Sequence, residues 1–127
     1  MPGKKILIIL IFILLFGGLY YFREKIYVTY VDVILDNRYH GVACENLPSL
    51  SDVDKVLRNK ENLVNRIKSI RPDEDENHSY ISVDVNEPCA NKGEIMIRYP
   101  SHDDRVKIEI ILKDDSFDGI PYNLINN

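Results

Sequence analysis

The chain has 127 residues, with 16 Lys and Arg against 20 Asp and Glu, 45% hydrophobic residues, two Cys and no Trp, which is room for one small globular domain. Only Lys4 and Lys5 are charged before Arg23, so the remainder holds 14 basic and 20 acidic side chains, a net of −6. Such an acidic body argues against a nucleic-acid partner, which requires a basic stripe, and its β-branched and aromatic content argues against disorder.

Ile6 to Phe22 carries no charge. As a helix it spans about 25 Å, the short end of a bilayer crossing. Tyr20, Tyr21 and Phe22 followed by Arg23 read as an interfacial belt, where rings sit at headgroup depth and the cation leaves the hydrocarbon. Lys4 and Lys5 before an apolar run also fit a cleaved signal peptide. Cleavage requires small residues at −3 and −1, however, and Gly17-Gly18 leaves Leu15 or Phe16 at −3. The expectation is an uncleaved signal-anchor over residues 1–25, single-pass in an inner or plasma membrane. Arg23 and Lys25 balance Lys4 and Lys5, so orientation rests on the short amino tail, which favours export of residues 26–127.

The exported part reads as α+β. Ile26 to Leu35 alternates, with Tyr27, Val31, Val33 and Leu35 on one face, and predicts a strand. Tyr39 to Ala43 fits either a short strand or an irregular connection. Val53, Val56, Leu57, Leu63, Val64, Ile67 and Ile70 have helical spacing, with Ser51 and Asp54 as the capping pair and Pro72 as the stop. Three period-two runs follow: Ile81, Val83 and Val85; Ile95, Ile97 and Tyr99; and Val106, Ile108, Ile110 and Leu112. Their short, turn-rich connections predict a β-α-β-β-β domain, a mostly antiparallel sheet with one helix packed on one face. The tail, 116–125, keeps Phe117, Ile120, Tyr122 and Leu124 to pack over the domain edge or to dock on a partner.

Cys44 and Cys89 both fall in loops, and in an oxidising compartment a disulfide would restrain the unfolded chain by about 4 kcal/mol in the loop-entropy view. Neither lies in a CxxC or nucleophile motif. His40, His78 and His102 lack the paired short spacing of a zinc site, so no metal or other cofactor is expected. Asp73, Asp75 and Asn77 match the opening of a calcium loop, but His78 stands where that loop needs Gly. Paired carboxylates of glycosidase type have nothing to fix their separation.

What remains is a surface for a protein partner. The acidic run Asp73, Glu74, Asp75 and Glu76 suits a basic one. The sheet face opposite the helix would carry Tyr80, Ser82, Asp84, Glu94, Met96, Arg98, Lys107, Glu109 and Ile111, and reads either as a solvated face laced by cross-strand ion pairs or as a binding platform, for which Tyr80, Met96 and Arg98 are the types enriched at interfaces. Lys60 projects into the helix's apolar arc, so its head either snorkels out at an edge or meets a carboxylate in a functional pocket. The sequence thus points to a non-enzymatic, membrane-anchored extracytoplasmic binding module, most concretely an envelope immunity or inhibitor protein blocking a basic toxin or enzyme. The alternative is a bitopic structural subunit of an envelope complex.

Overall fold

A computed structural model describes residues 2–72 and 79–127. The apolar run forms helix α1, Pro2–Val33, which is long and apolar enough to cross a membrane. The Arg23 guanidinium lies 4.8 Å from the centre of the Tyr20 ring, a cation–π contact at the end of the uncharged run.

The strand expected over 26–35 does not form; α1 continues through it. Ile26, Val28, Thr29, Val31 and Val33 have β propensity, but a helix already nucleated gains one hydrogen bond per added residue, and no Pro or Gly intervenes. Asp36, at φ 53°, takes the left-handed conformation just beyond the helix end. The chain divides into two compact units there, Met1–Leu35 and Asp36–Asn127.

In the second unit, α2 is Leu50–Asn59, α3 Glu61–Lys68, β1 Ser82–Cys89, β2 Lys92–Tyr99, α4 His102–Asp114 and β3 Tyr122–Asn126. The sheet has three strands in the order β1-β2-β3 and is mixed rather than mostly antiparallel. β1 and β2 form the expected antiparallel hairpin, with a register shift between Asn86 and Cys89 and Asn91 at φ 59° in the turn. β3 pairs parallel to β2, Ile97 opposite Leu124, so the tail expected to pack over the domain edge is an integral strand.

Parallel pairing needs a crossover, and α4 supplies it where a strand was expected. The period-two apolar run there is two i,i+4 rows: Ile108 and Leu112 enter the core, while Val106 and Ile110 stay exposed. Ser101 starts the helix, its hydroxyl accepting from the Asp104 N–H at 3.2 Å.

The single helix expected over 51–70 is two, joined at Lys60. Its cap lies two residues earlier than expected: Ser49 Oγ accepts from the Asp52 N–H and donates to Asp52 Oδ2 at 2.7 Å. Val53, Leu63, Ile67, Ile108 and Leu112 from the helices bury one sheet face, made of Val83, Ile95, Ile97, Tyr99 and Leu124. The sheet is therefore covered by three helices rather than one. Gly93 permits the approach of α2, because a Cβ there would lie 3.0 Å from Val53 Cγ2 and 3.3 Å from Leu50 Cα.

Candidate partner-binding surface

Residues 36–49 form a strap that runs from one sheet edge over the polar face to the hairpin. Arg38 exchanges two 2.8 Å backbone hydrogen bonds with Leu124, closing the outer edge of β3. Next, the His40 N–H donates to Asn123 Oδ1 at 3.0 Å, and the His40 ring reaches Glu94 on the central strand. The far end is fastened twice. Cys44 and Cys89 stand at disulfide distance, Cα–Cα 6.1 Å, and the Gly93 N–H donates to the Pro48 carbonyl at 2.9 Å.

The polar face is thus not the open platform that alternation implied. Glu94 is only 5% exposed. Its Oε1 accepts from Asn86 Nδ2 at 2.6 Å, and Oε2 lies 2.5 Å from His40 Nε2. Because His40 Nδ1 accepts the Val42 N–H at 2.8 Å, the ring proton sits on Nε2 and points at Glu94. Both ring nitrogens are engaged, so His40 positions the strap and has no lone pair left for general-base work.

A second polar cluster anchors the start of the unit. The Asp36 carboxylate accepts from Arg105 at 2.7 Å, His102 Nδ1 at 2.8 Å and Asn126 Nδ2 at 3.2 Å, and the buried Tyr99 hydroxyl donates to the Asp36 carbonyl. Burial pushes the Asp36 carboxyl upward, but the His102 and Arg105 hydrogen bonds outweigh it and hold it below the usual range. Burial, then the Asp36 charge, pushes the Tyr99 hydroxyl above the ordinary tyrosine value. An aspartate orienting an exposed histidine has the outline of a catalytic dyad. The neighbouring hydroxyl, Ser101, instead bonds Asp104, so the pair serves to hold residue 36 in place.

The acidic loops near the C-terminus meet the basic helices. Lys60 bridges Asp115 at 2.9 Å and Asp118 at 3.0 Å, so its head reaches partly exposed carboxylates at the surface rather than one in a pocket. Asp115, then Asp118, raises the Lys60 ammonium above its usual value, and Lys60 in turn lowers Asp115. Arg66 pairs with Asp114 and Arg71 with Asp104, each at 3.2 Å. These carboxylates are engaged within the fold.

Of the residues expected to meet a partner, Asp73, Glu74, Asp75 and Glu76 lie outside the described residues, as do Asn77 and His78. Tyr80 is 51% exposed, just ahead of β1. Met96 and Arg98 are half-buried on the polar face beyond Glu94, with Arg98 3.2 Å from Asp84 on β1. Lys107, Glu109 and Ile111, expected on the same face, belong to α4 instead. Sequence reasoning missed two apolar clefts. One, of about 410 Å³, lies between the strap and the turn before β3, with Tyr39, Val42, Ile120 and Tyr122 in its walls. The other, of about 390 Å³, lies beside β1. Tyr39, exposed between two uncommitted loop residues, carried no periodic signal that could have marked the first.

Comparison of the chain with protein-family models, curated proteins and solved structures returns no match.

Proposed function

We propose that the protein is a membrane-tethered, extracytoplasmic protein-binding module. The observation that carries this reading is the pairing of Cys44 with Cys89 across a strap, in a chain that also has a membrane-length apolar helix. A disulfide persists in an oxidising compartment, which favours a single-pass topology with Asp36–Asn127 outside the cytoplasm, periplasmic where the envelope has two membranes. His40 and His102 bind backbone and carboxylates that hold the fold, and this favours recognition over chemistry.

The most concrete version is an envelope immunity or inhibitor protein that blocks a basic toxin or enzyme. Its support is the net charge of −6 beyond the anchor and the acidic run 73–76, since complementary charge speeds encounter and selects partners. A structural subunit of an envelope complex is the second reading. It is favoured by α1 itself, which beyond Arg23 still presents Ile26, Tyr27, Val28, Tyr30 and Val33 at 50% exposure or more.

In-cell crosslinking of the tagged full-length protein tests both. A dominant soluble basic protein supports the inhibitor version, and recovery with several integral membrane proteins supports the subunit. Absence of any protein adduct refutes the binding-module reading.

A further inference from the structure

The two sheet edges are treated differently. β3 is closed by Arg38, whereas among the described residues no backbone group outside β2 bonds to β1. β1 guards its Cys89 end with the register shift, Glu87 and Pro88, devices that discourage further pairing. From Ile81 to Val85 there is neither a proline nor a register shift, and the one charge, Asp84, is paired with Arg98 on β2. The helical layer also stops short there: Val85 shares the inward face with Val83, yet is 40% exposed against 7%. At Val83, one inward position before Val85, the edge borders the 390 Å³ cleft, walled by Leu57, Val64 and Val83 itself and rimmed by Arg58 and Glu61.

An edge ladder next to an apolar slot is what an added strand requires: backbone groups give the pairing and alternate side chains fill the slot. The charge of the edge selects the sequence of that strand. Arg58 is already paired with Asp54 at 2.6 Å and Arg98 with Asp84 at 3.2 Å, whereas Glu61 and Glu87 form no ion pair among the described residues. Of the two charged residues that rim the cleft, the one without an ion pair among the described residues is therefore the negative one, Glu61.

We propose that the partner docks by adding an extended segment to the free edge of β1 between Ile81 and Val85, with apolar side chains at every second position and lysine or arginine between them. This rests on the protein-binding reading above and specifies the surface and the chemistry of the partner.

The test uses the full chain in zwitterionic micelles and two synthetic ten-residue peptides, alternating valine with lysine or valine with glutamate. The Val–Lys peptide is expected to slow amide hydrogen exchange within Ile81–Val85 and to bind at least tenfold more tightly than the Val–Glu peptide. Val85→Lys, which puts a cation on the exposed apolar position of the edge, should weaken binding at least tenfold, and Glu61→Lys several-fold; Tyr39→Ala, on the strap, should leave it unchanged. Protection elsewhere, equal affinity for the two peptides, or binding that survives Val85→Lys overturns the proposal. Concentration-dependent protection of the edge without peptide also overturns it, because the occupant is then a second copy. A crosslinked cellular partner that maps to the strap refutes this edge while leaving the protein-binding reading intact.

Discussion

His40 Nε2 lies 2.5 Å from Glu94 Oε2 and joins the strap to the central strand. Truncating one member of a buried polar pair leaves the other unsatisfied. His40→Ala is therefore expected to cost about 1–3 kcal/mol, measured by urea unfolding. Glu94→Gln keeps an acceptor for the His40 proton and removes a buried charge, so it should cost less. The reverse order would mean that Glu94 does not depend on the strap.

Cys44 and Cys89 hold the other end. The Cys44→Ser, Cys89→Ser double variant should lose about 2–4 kcal/mol of stability, and its gel mobility should no longer respond to reductant. Hydrogen exchange should accelerate first at the strap amides of Val42 and Leu47, because that end is then fastened only by the contacts around Pro48 and Lys92.

Asp36 makes stability sensitive to acid. Its folded carboxyl titrates below the ordinary aspartate value, so its contribution is complete above that ordinary value and is lost as pH falls through the lower folded one. Asp36→Asn should lower the Tm by a constant amount near neutrality, and the gap to wild type should close below about pH 4. A gap that widens in acid would contradict the hydrogen-bonded carboxylate. Tm scans from pH 7 to pH 2 decide it.

Gly93 and Gly119 test two different reasons for glycine. At Gly93 the obstacle is space: an added Cβ meets Val53 and the Leu50 backbone, so Gly93→Ala should push α2 outward at about 1–3 kcal/mol. Gly119 has open space but φ +83°, next to Asp118 at φ 53° in the turn closed by the 3.0 Å Ile120 N–H to Phe117 carbonyl bond. Gly119→Ala should cost about 1 kcal/mol through backbone strain alone. Replacing Val53 by Ala should relieve the first substitution and leave the second unaffected, which a double-mutant cycle measures.

Where a signal was local, the sequence was sufficient. The uncharged run 6–22 read as helix whether anchor, signal peptide or buried segment, and the alternation of Ile81–Val85 and Ile95–Tyr99 around a short turn predicted the hairpin. The apolar arc of 53–67 predicted helix, though not the break at Lys60, where the backbone leaves helical geometry at φ −102°, ψ 27°. Alternation failed where two geometries share it. Val106, Ile108, Ile110 and Leu112 fit a strand as well as two helical rows, and only the capping geometry of Ser101 and the parallel seat taken by β3 decide for helix. Residues 26–33 fit a strand in isolation but extend a helix already begun.

The polar residues depended most on tertiary structure. His40, Asp36 and Glu94 are ordinary loop and strand residues in sequence, and their partners are Glu94, Arg105 and Asn86 through contacts spanning 54, 69 and 8 positions. By itself the sequence determined a helix that water cannot solvate, an acidic body and two cysteines able to pair, because composition and short-range periodicity set those. Which sheet edge is closed, which face is strapped over and which cleft stays open were decided by the packing of the strap and of α4. Those contacts exist only once distant segments have met.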